Sequence, residues 1–361
     1  MSIVATFEIE FLQYLDTEGK LVREDVPAFA RDIRQLVELY KLMSFVRTFD
    51  GQAIALQRTG KLGTYASCLG MEAAYVAVGS ALAEDDVFVP YYRDYGAQFF
   101  RGVKPRDVLL YWGGDERGND FSGPAHDFAW SVPIATQTLH AAGVALAFKI
   151  RKEPRVALVT VGDGGTSKGD FYGAINVAGA MTLPLIVVIV NNQYAISTPR
   201  KAQTHAQTLA QKGIAAGIDS VQVDGNDLIA LRAALDHAVK RARHGHGASL
   251  IEAVTYRLSD HTTADDARRY RSEEEVKDAW QREPLRRLRA YLLDLNAWSD
   301  AEEKELLADC NKRVDIEVDA YLQTKAQPVS AMFDYTYAEL PLDLERQRAE
   351  ALSLLGPGNA E

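Results

Sequence analysis

Two short polar segments each close an apolar run. Gly162-Asp163-Gly164-Gly165 ends VALVTVGDGG, and Asn191-Asn192 ends LIVVIVNN. The stretch between them reads loop, helix, strand, so one carboxylate, Asp163, and one amide oxygen, that of Asn192, arrive at neighbouring strand ends. Hard divalent cations such as Mg²⁺ take oxygen ligands in octahedral geometry and keep waters or phosphate oxygens among them. The chain turns after Asn192, which offers the Tyr194 carbonyl as a third protein ligand beside diphosphate oxygens and water. Gly162, Gly164 and Gly165 let the backbone approach closely. A helix starting near Gly169 points its N-terminus at the anion. GDGGTSKG lacks the G-x-G-x-x-G order of a dinucleotide fingerprint, and no G-K-[ST] closes it as a P-loop.

The elements that position these groups are legible in the hydrophobic pattern. DVFVPYY reads as a strand ending at Arg93, VALVTVG and LIVVIVN as buried strands, SVQVDGND as a strand ending in an Asp-Gly turn, and SLIEAVTYR as the last strand. Helical segments separate them: the Ala- and Gly-rich stretch from Ser67 to Leu82, Thr136 to Lys149, a helix near Thr204–Lys212, and LIALRAALDHAVKRAR, with Asn226 able to cap it. The alternation predicts an α/β fold, a doubly wound, mostly parallel sheet with helices on both faces. Ligands of such sheets sit beyond the strands' carboxyl ends, where Asp163, Asn192 and Arg257 fall. Residues 1–50 start irregular and become helical. Residues 51–271 hold the α/β domain, and 272–361 read as a helical region packed on it, with Ser272/Glu275 and Ser299/Glu302 as capping boxes.

Composition narrows the class. The chain has 361 residues and a formal net charge of -10, which argues against a nucleic-acid partner. Cys68 and Cys310 are its two cysteines and match no metal spacing, as expected in a reducing cytoplasm. No apolar run reaches membrane-spanning length. The N-terminus, MSIVATFEIEFLQYLDTEGK, resembles neither a signal nor a transit peptide, so a bacterial cytoplasmic location is expected.

GDG followed by about thirty residues ending in NN is similar to the thiamin diphosphate motif. More narrowly, GDGGTSKGDFYGAINVAGA with NNQYAISTP resembles the alpha subunit of the first component of 2-oxo-acid dehydrogenase complexes. GKLGTYASCLGMEAA, YYRDYG, PIATQTLHAAGVALAFK, VQVDGND, TYRLSDHTTADDARRYR and YAELP extend the likeness from about residue 30 to 345. The resemblance implies thiamin diphosphate and Mg²⁺ as cofactors, with Asp163, Asn192 and the Tyr194 carbonyl on the metal. It implies that Tyr92 and Arg93 contact the cofactor, Arg93 on the diphosphate, and that Arg257 and the catalytic His261 sit on a loop closing over it. Ile134 matches the residue that props the cofactor's two rings into their bent arrangement. Ser131, Pro133, Thr136 and Gln137 match a monovalent-cation (K⁺) site of branched-chain members.

The implied reaction is oxidative decarboxylation of a small 2-oxo acid, with acyl transfer to a lipoyl group on an acyltransferase component. The chain carries one doubly wound pattern. The glutamate that activates the cofactor is therefore expected on a beta subunit, in an alpha2-beta2 heterotetramer. Glu72, on an Ala-rich helix, is read as a packing or interface residue instead, and His126 as a histidine that could approach the site. Two positions depart from relatives: Val190 replaces an arginine that helps hold phosphate in some branched-chain members, and Thr262 replaces a serine that mammalian relatives phosphorylate. Pyruvate is the leading substrate. Branched-chain 2-oxo-acid dehydrogenase and acetoin dehydrogenase alpha subunits are the alternatives, and a non-catalytic scaffold is the reading from another class.

Overall fold

The computed structural model describes residues 1–354 apart from Phe121, Ser122, Pro124 and Ser131. Eight strands lie among them: β1 Phe11–Leu12, β2 Val87–Val89, β3 Ala157–Gly162, β4 Leu185–Asn191, β5 Tyr194–Ala195, β6 Thr198–Pro199, β7 Asp219–Asp224 and β8 Ser249–Val254. Six form one sheet in the order β1-β7-β8-β4-β3-β2, and every pairing in it is parallel. β5 and β6 form a small antiparallel hairpin. β4 is buried along its whole length, as expected of an apolar run in a sheet covered on both faces.

The chain passes from β2 to β3 to β4, skips one place to β7, and returns to β8. Right-handed crossovers place helices on opposite faces when the direction of travel reverses. The helices Thr136–Arg151 and Gly169–Ala180 accordingly pack on each other, with Phe148, Phe171 and Ile175 set against Val159, Val187 and Leu250 of the sheet. The helix Leu228–Arg243 covers the other face together with Glu72–Ala81. Burying these apolar side chains contributes about 1.5–3 kcal/mol for each large one.

Several local expectations shift. The N-terminal segment adds an edge strand before it turns helical: Phe11 and Leu12 pair with Gln222 and Val223. β2 stops at Val89, so Tyr91–Arg93 lie in the turn beyond it. The helix expected from Ser67 starts at Glu72, because Gly70 takes the left-handed φ 88, where a Cβ would also lie 2.5 Å from the Tyr256 carbonyl oxygen. Asp227, not Asn226, caps the helix Leu228–Arg243: its carboxylate accepts from the N–H groups of Ile229 and Ala230, and also from those of Tyr14 and Leu15. The helix expected near Thr204–Lys212 is two short ones, Arg200–Gln203 and Gln211–Ala215. At the start of Glu273–Gln281, Ser272 caps Glu275 N–H, but the Glu275 side chain turns to the Tyr194 and Tyr256 hydroxyls.

Met1–Val318 form one compact unit and the residues from Asp319 onward a second. In the second, the helices Ala331–Asp334 and Leu342–Leu354 are joined by an Arg348–Asp334 ion pair at 2.8 Å. No helix among the described residues is long and apolar enough to cross a membrane.

Candidate active site

Parallel strands point their carboxyl ends to one edge of the sheet, and a cavity of about 230 Å³ opens there. The turn after β2 supplies Tyr92 and Arg93. The loop after β3 supplies Gly162–Gly165, and the chain after β4 supplies Asn192, Tyr194 and Ile196. Pro133, Ile134 and Gln137 come from the entry to the helix Thr136–Arg151, and His261 from the loop beyond β8. Arg257 and Thr136 are not among the lining residues. Ser131 lies outside the described residues. His126 is exposed and does not line the cavity, which corrects the expectation that it could approach it.

Two glycines of the loop sit hard against their neighbours. A Cβ on Gly164 would lie 2.5 Å from Ala195 Cβ, and one on Gly165 2.5 Å from Val161 Cγ2, whereas Gly162 faces open space. Thr166 donates from its hydroxyl to the Asp163 carbonyl at 2.7 Å. Behind it Lys212, 7% exposed, donates from Nζ to the Thr166 carbonyl at 2.8 Å and lies 5.2 Å from the Tyr172 ring centroid. A buried ammonium thus backs a loop whose open side faces the cavity.

Asp163 is 1% exposed. Burial pushes its carboxyl above the usual carboxylate range, and donation from Gln203 opposes part of that rise. The two asparagines part ways. Asn192 Oδ1 accepts from Tyr194 N–H at 3.2 Å beside the cavity, while Asn191 donates from Nδ2 to the buried Glu252 carboxylate at 2.7 Å within the sheet. The hairpin that follows is strained: Gln193 and Ile196 hold φ 74 and φ 56, values that non-glycine residues visit at a cost.

Arg93 and Arg257 are 1% and 0% exposed. Arg93 donates from Nη1 to the Ser67 carbonyl at 2.7 Å and from Nη2 to His261 Nδ1 at 2.9 Å. Arg257 donates to the carbonyls of Tyr194 and Ile196 at 3.2 and 2.8 Å and to the Tyr270 hydroxyl at 2.9 Å. Among the described residues no carboxylate lies within ion-pair distance of either guanidinium. Burial and the charge of Arg93 lower the Arg257 guanidinium from its ordinary value. Burying one cation costs several kcal/mol unless it is compensated, and two together call for an anion.

His261 is held by its N–H, which donates to Asp265 at 2.9 Å, and by the pairing of Thr263 N–H with the Tyr65 carbonyl at 2.9 Å. Burial and the charges of Arg93 and Arg257 lower its imidazole to about 3. Guanidinium N–H groups only donate, so Nδ1 is an acceptor and the ring proton sits on Nε2. The ring meets the edge of Tyr92, with centroids 6.4 Å apart.

Glu72 takes no part in this cavity. It is fully buried, accepts from Arg47 Nε at 2.8 Å and from Gly70 N–H at 3.0 Å, and shares Arg47 with Glu283. Gln203 and Lys212 are further residues around the loop that the sequence does not mark. Neither carries a local signal, because each is brought to the loop by chain folding back from further along.

A family described as the dehydrogenase E1 component matches residues 40–330. The chain is 39% identical over 341 residues to the pyruvate dehydrogenase E1 component subunit alpha of Staphylococcus aureus, covering 94% of this chain and 92% of that one. The subunit of the same name from Staphylococcus epidermidis matches to the same extent. Strand-end cavity, sequence motifs and relatives agree: the chain belongs to the dehydrogenase E1 component family, the enzymes of 2-oxo-acid dehydrogenation.

Proposed function

We propose that this chain is the diphosphate-binding alpha subunit of a bacterial, cytoplasmic pyruvate dehydrogenase first component, working with a beta subunit and a lipoyl-bearing acyltransferase. One observation carries the reading. Two buried guanidiniums, Arg93 and Arg257, lack carboxylate partners within ion-pair distance and stand beside the buried oxygen donors Asp163 and Asn192. Buried cationic charge without a carboxylate partner, next to hard oxygen donors, suits a magnesium diphosphate.

The donor set fits. Asp163 Oδ, Asn192 Oδ1 and the Tyr194 carbonyl would hold Mg²⁺, and the Gly162–Gly165 loop with the helix Gly169–Ala180 would receive the phosphates. Thiamin diphosphate, when bound, supplies the electron sink that decarboxylation of a 2-oxo acid needs. Arg93 and Tyr92 bind the anion side, and Arg257 braces the Tyr194 carbonyl. Ile134, 45% exposed on the cavity wall, would support the rings. His261, neutral with its proton on Nε2, offers a hydrogen-bond donor to the substrate. For a monovalent cation, Gln137 fits: its Nε2 is used by the Thr160 carbonyl, while Oε1 is buried without a partner. Pro133 and Thr136 would contribute to that site.

At about 230 Å³ the cavity falls below the roughly 300–1,000 Å³ of an ordinary ligand pocket. Its mouth is rimmed by exposed Val132, Ile134 and Ile196, and the adjoining helices expose Leu139, Tyr172 and Val177. A second subunit docked there would complete the pocket and bring the activating glutamate. The test is reconstitution. The chain alone is expected to show no 2-oxo-acid decarboxylation and to regain it with its beta partner; full activity of the purified chain would refute the split site. The open Gln137 oxygen also favours a branched-chain reading, and a panel of 2-oxo acids assayed on the same assembly separates it from pyruvate.

A further inference from the structure

The Asp163 carboxylate already has a neighbour. Gln203, the last residue of the helix Arg200–Gln203, donates from Nε2 to Asp163 Oδ2 at 2.6 Å and to the Thr198 carbonyl at 3.2 Å. Both neighbours are acceptors, so only the nitrogen of this amide can face them. The amide oxygen, Oε1, is buried and has no hydrogen-bond partner. Gln203 reaches the site through the β5–β6 hairpin. Arg200 N–H closes it on the Gln193 carbonyl at 2.7 Å, and the Arg200 guanidinium holds the exit through the Ala206 carbonyl at 2.8 Å.

We propose that Gln203 is a positioning residue for the metal ligand Asp163: its Nε2 occupies one carboxylate oxygen, so that the other is presented to the cation, and its free Oε1 accepts from a water on that cation. The inference rests on the reading of Asp163, Asn192 and the Tyr194 carbonyl as the cation's ligands. A neutral amide suits the task. A lysine or arginine there would fix the carboxylate equally well but would cancel its charge and repel the metal. A second carboxylate would repel the first. Groups that orient a ligating carboxylate commonly govern metal affinity by about 10–100-fold.

The opposite role, an amide that plugs the carboxylate and must leave before metal binds, predicts the opposite sign, so one experiment decides. The chain is assembled with its beta subunit, and Mn²⁺ binding in the presence of thiamin diphosphate is followed by the electron paramagnetic resonance signal of free Mn²⁺. Gln203→Leu is expected to weaken Mn²⁺ binding about 10–100-fold. Turnover should recover to near the parent kcat at saturating metal, because a positioning defect is overcome by mass action. Unchanged or tighter Mn²⁺ binding overturns the proposal, as does a kcat that stays low at every metal concentration. If Gln203→Leu lowers the unfolding temperature, Gln203→Met, which keeps the side chain's length, replaces it. Asp163→Ala serves as the second arm. Loss of Mn²⁺ binding there together with parent-like binding in Gln203→Leu rejects Gln203 alone, whereas parent-like binding in Asp163→Ala rejects the metal site on which the proposal rests.

Discussion

Arg93 Nη2 donates to His261 Nδ1 at 2.9 Å, joining residues 168 positions apart. The contact decides the state of the histidine. Arg257 Nη1 approaches the same nitrogen at 3.4 Å, so two cations face it and a proton there is excluded. His261 is expected to stay neutral, as the Nε2–H tautomer, through the physiological pH range. Imidazole ¹⁵N chemical shifts check this, and a titration midpoint between pH 5 and 7 in the folded chain would contradict it.

The same histidine sets a pH dependence of stability. Its folded value is lowered to about 3, while an unfolded imidazole titrates near about 6.5. Between the two the unfolded chain binds more protons. This contribution is therefore complete above about pH 6.5 and is lost as pH falls toward 3. His261→Asn is expected to flatten the slope in that window by up to one proton, about 1.4 kcal/mol per pH unit. Denaturant melts of both proteins from pH 4 to 7 measure it, and parallel profiles would count against the assignment.

Asp163→Ala in the assembled enzyme is expected to abolish Mg²⁺-dependent binding of thiamin diphosphate. Calorimetric titration with and without chelator gives the answer, and an unchanged affinity would remove Asp163 from the metal.

Gly164 has no room for a side chain. Gly164→Ala sets a methyl 2.5 Å from Ala195 Cβ, and overpacking of this kind costs about 1–3 kcal/mol. The variant is expected to lose stability and cofactor affinity together. Adding Ala195→Gly should restore much of both. A double variant no better than the single one would place the defect elsewhere.

Arg47 holds two buried carboxylates, Glu72 at 2.8 Å and Glu283 at 2.7 Å. Burial raises the Glu72 carboxyl, and the charge of Arg47 lowers it again. Arg47→Met leaves Glu72 buried and uncompensated, which is expected to destabilise the fold by about 3–5 kcal/mol. Glu72→Gln should leave metal binding intact, since Glu72 stands outside the cavity; a loss of Mn²⁺ binding in it would show otherwise.

The sheet and the first tier of the site were readable in the chain because they depend on short-range pattern. The buried runs ending at Gly162 and Asn191, separated by one helix, read as parallel strands of one sheet, and parallel strands bring Asp163 and Asn192 to the same edge. Local details slipped where neighbours override propensity. Asp227 displaced Asn226 as a cap because its carboxylate also receives Tyr14 and Leu15. β1 is not legible in the sequence because a two-residue strand has no period of its own.

What the sequence by itself determined is therefore the chemistry on offer: hard oxygens, glycines and basic residues at strand ends in a parallel α/β fold. The tertiary structure alone decided how they are used. It turned Asn191 into the sheet toward Glu252, set Gln203 on Asp163 across 40 residues, placed Lys212 behind the Gly-rich loop, and closed Arg93 on His261. The physical reason is range. Strand alternation and helical period act over a few residues, whereas these contacts depend on which crossover returns to which edge, and no local pattern encodes that.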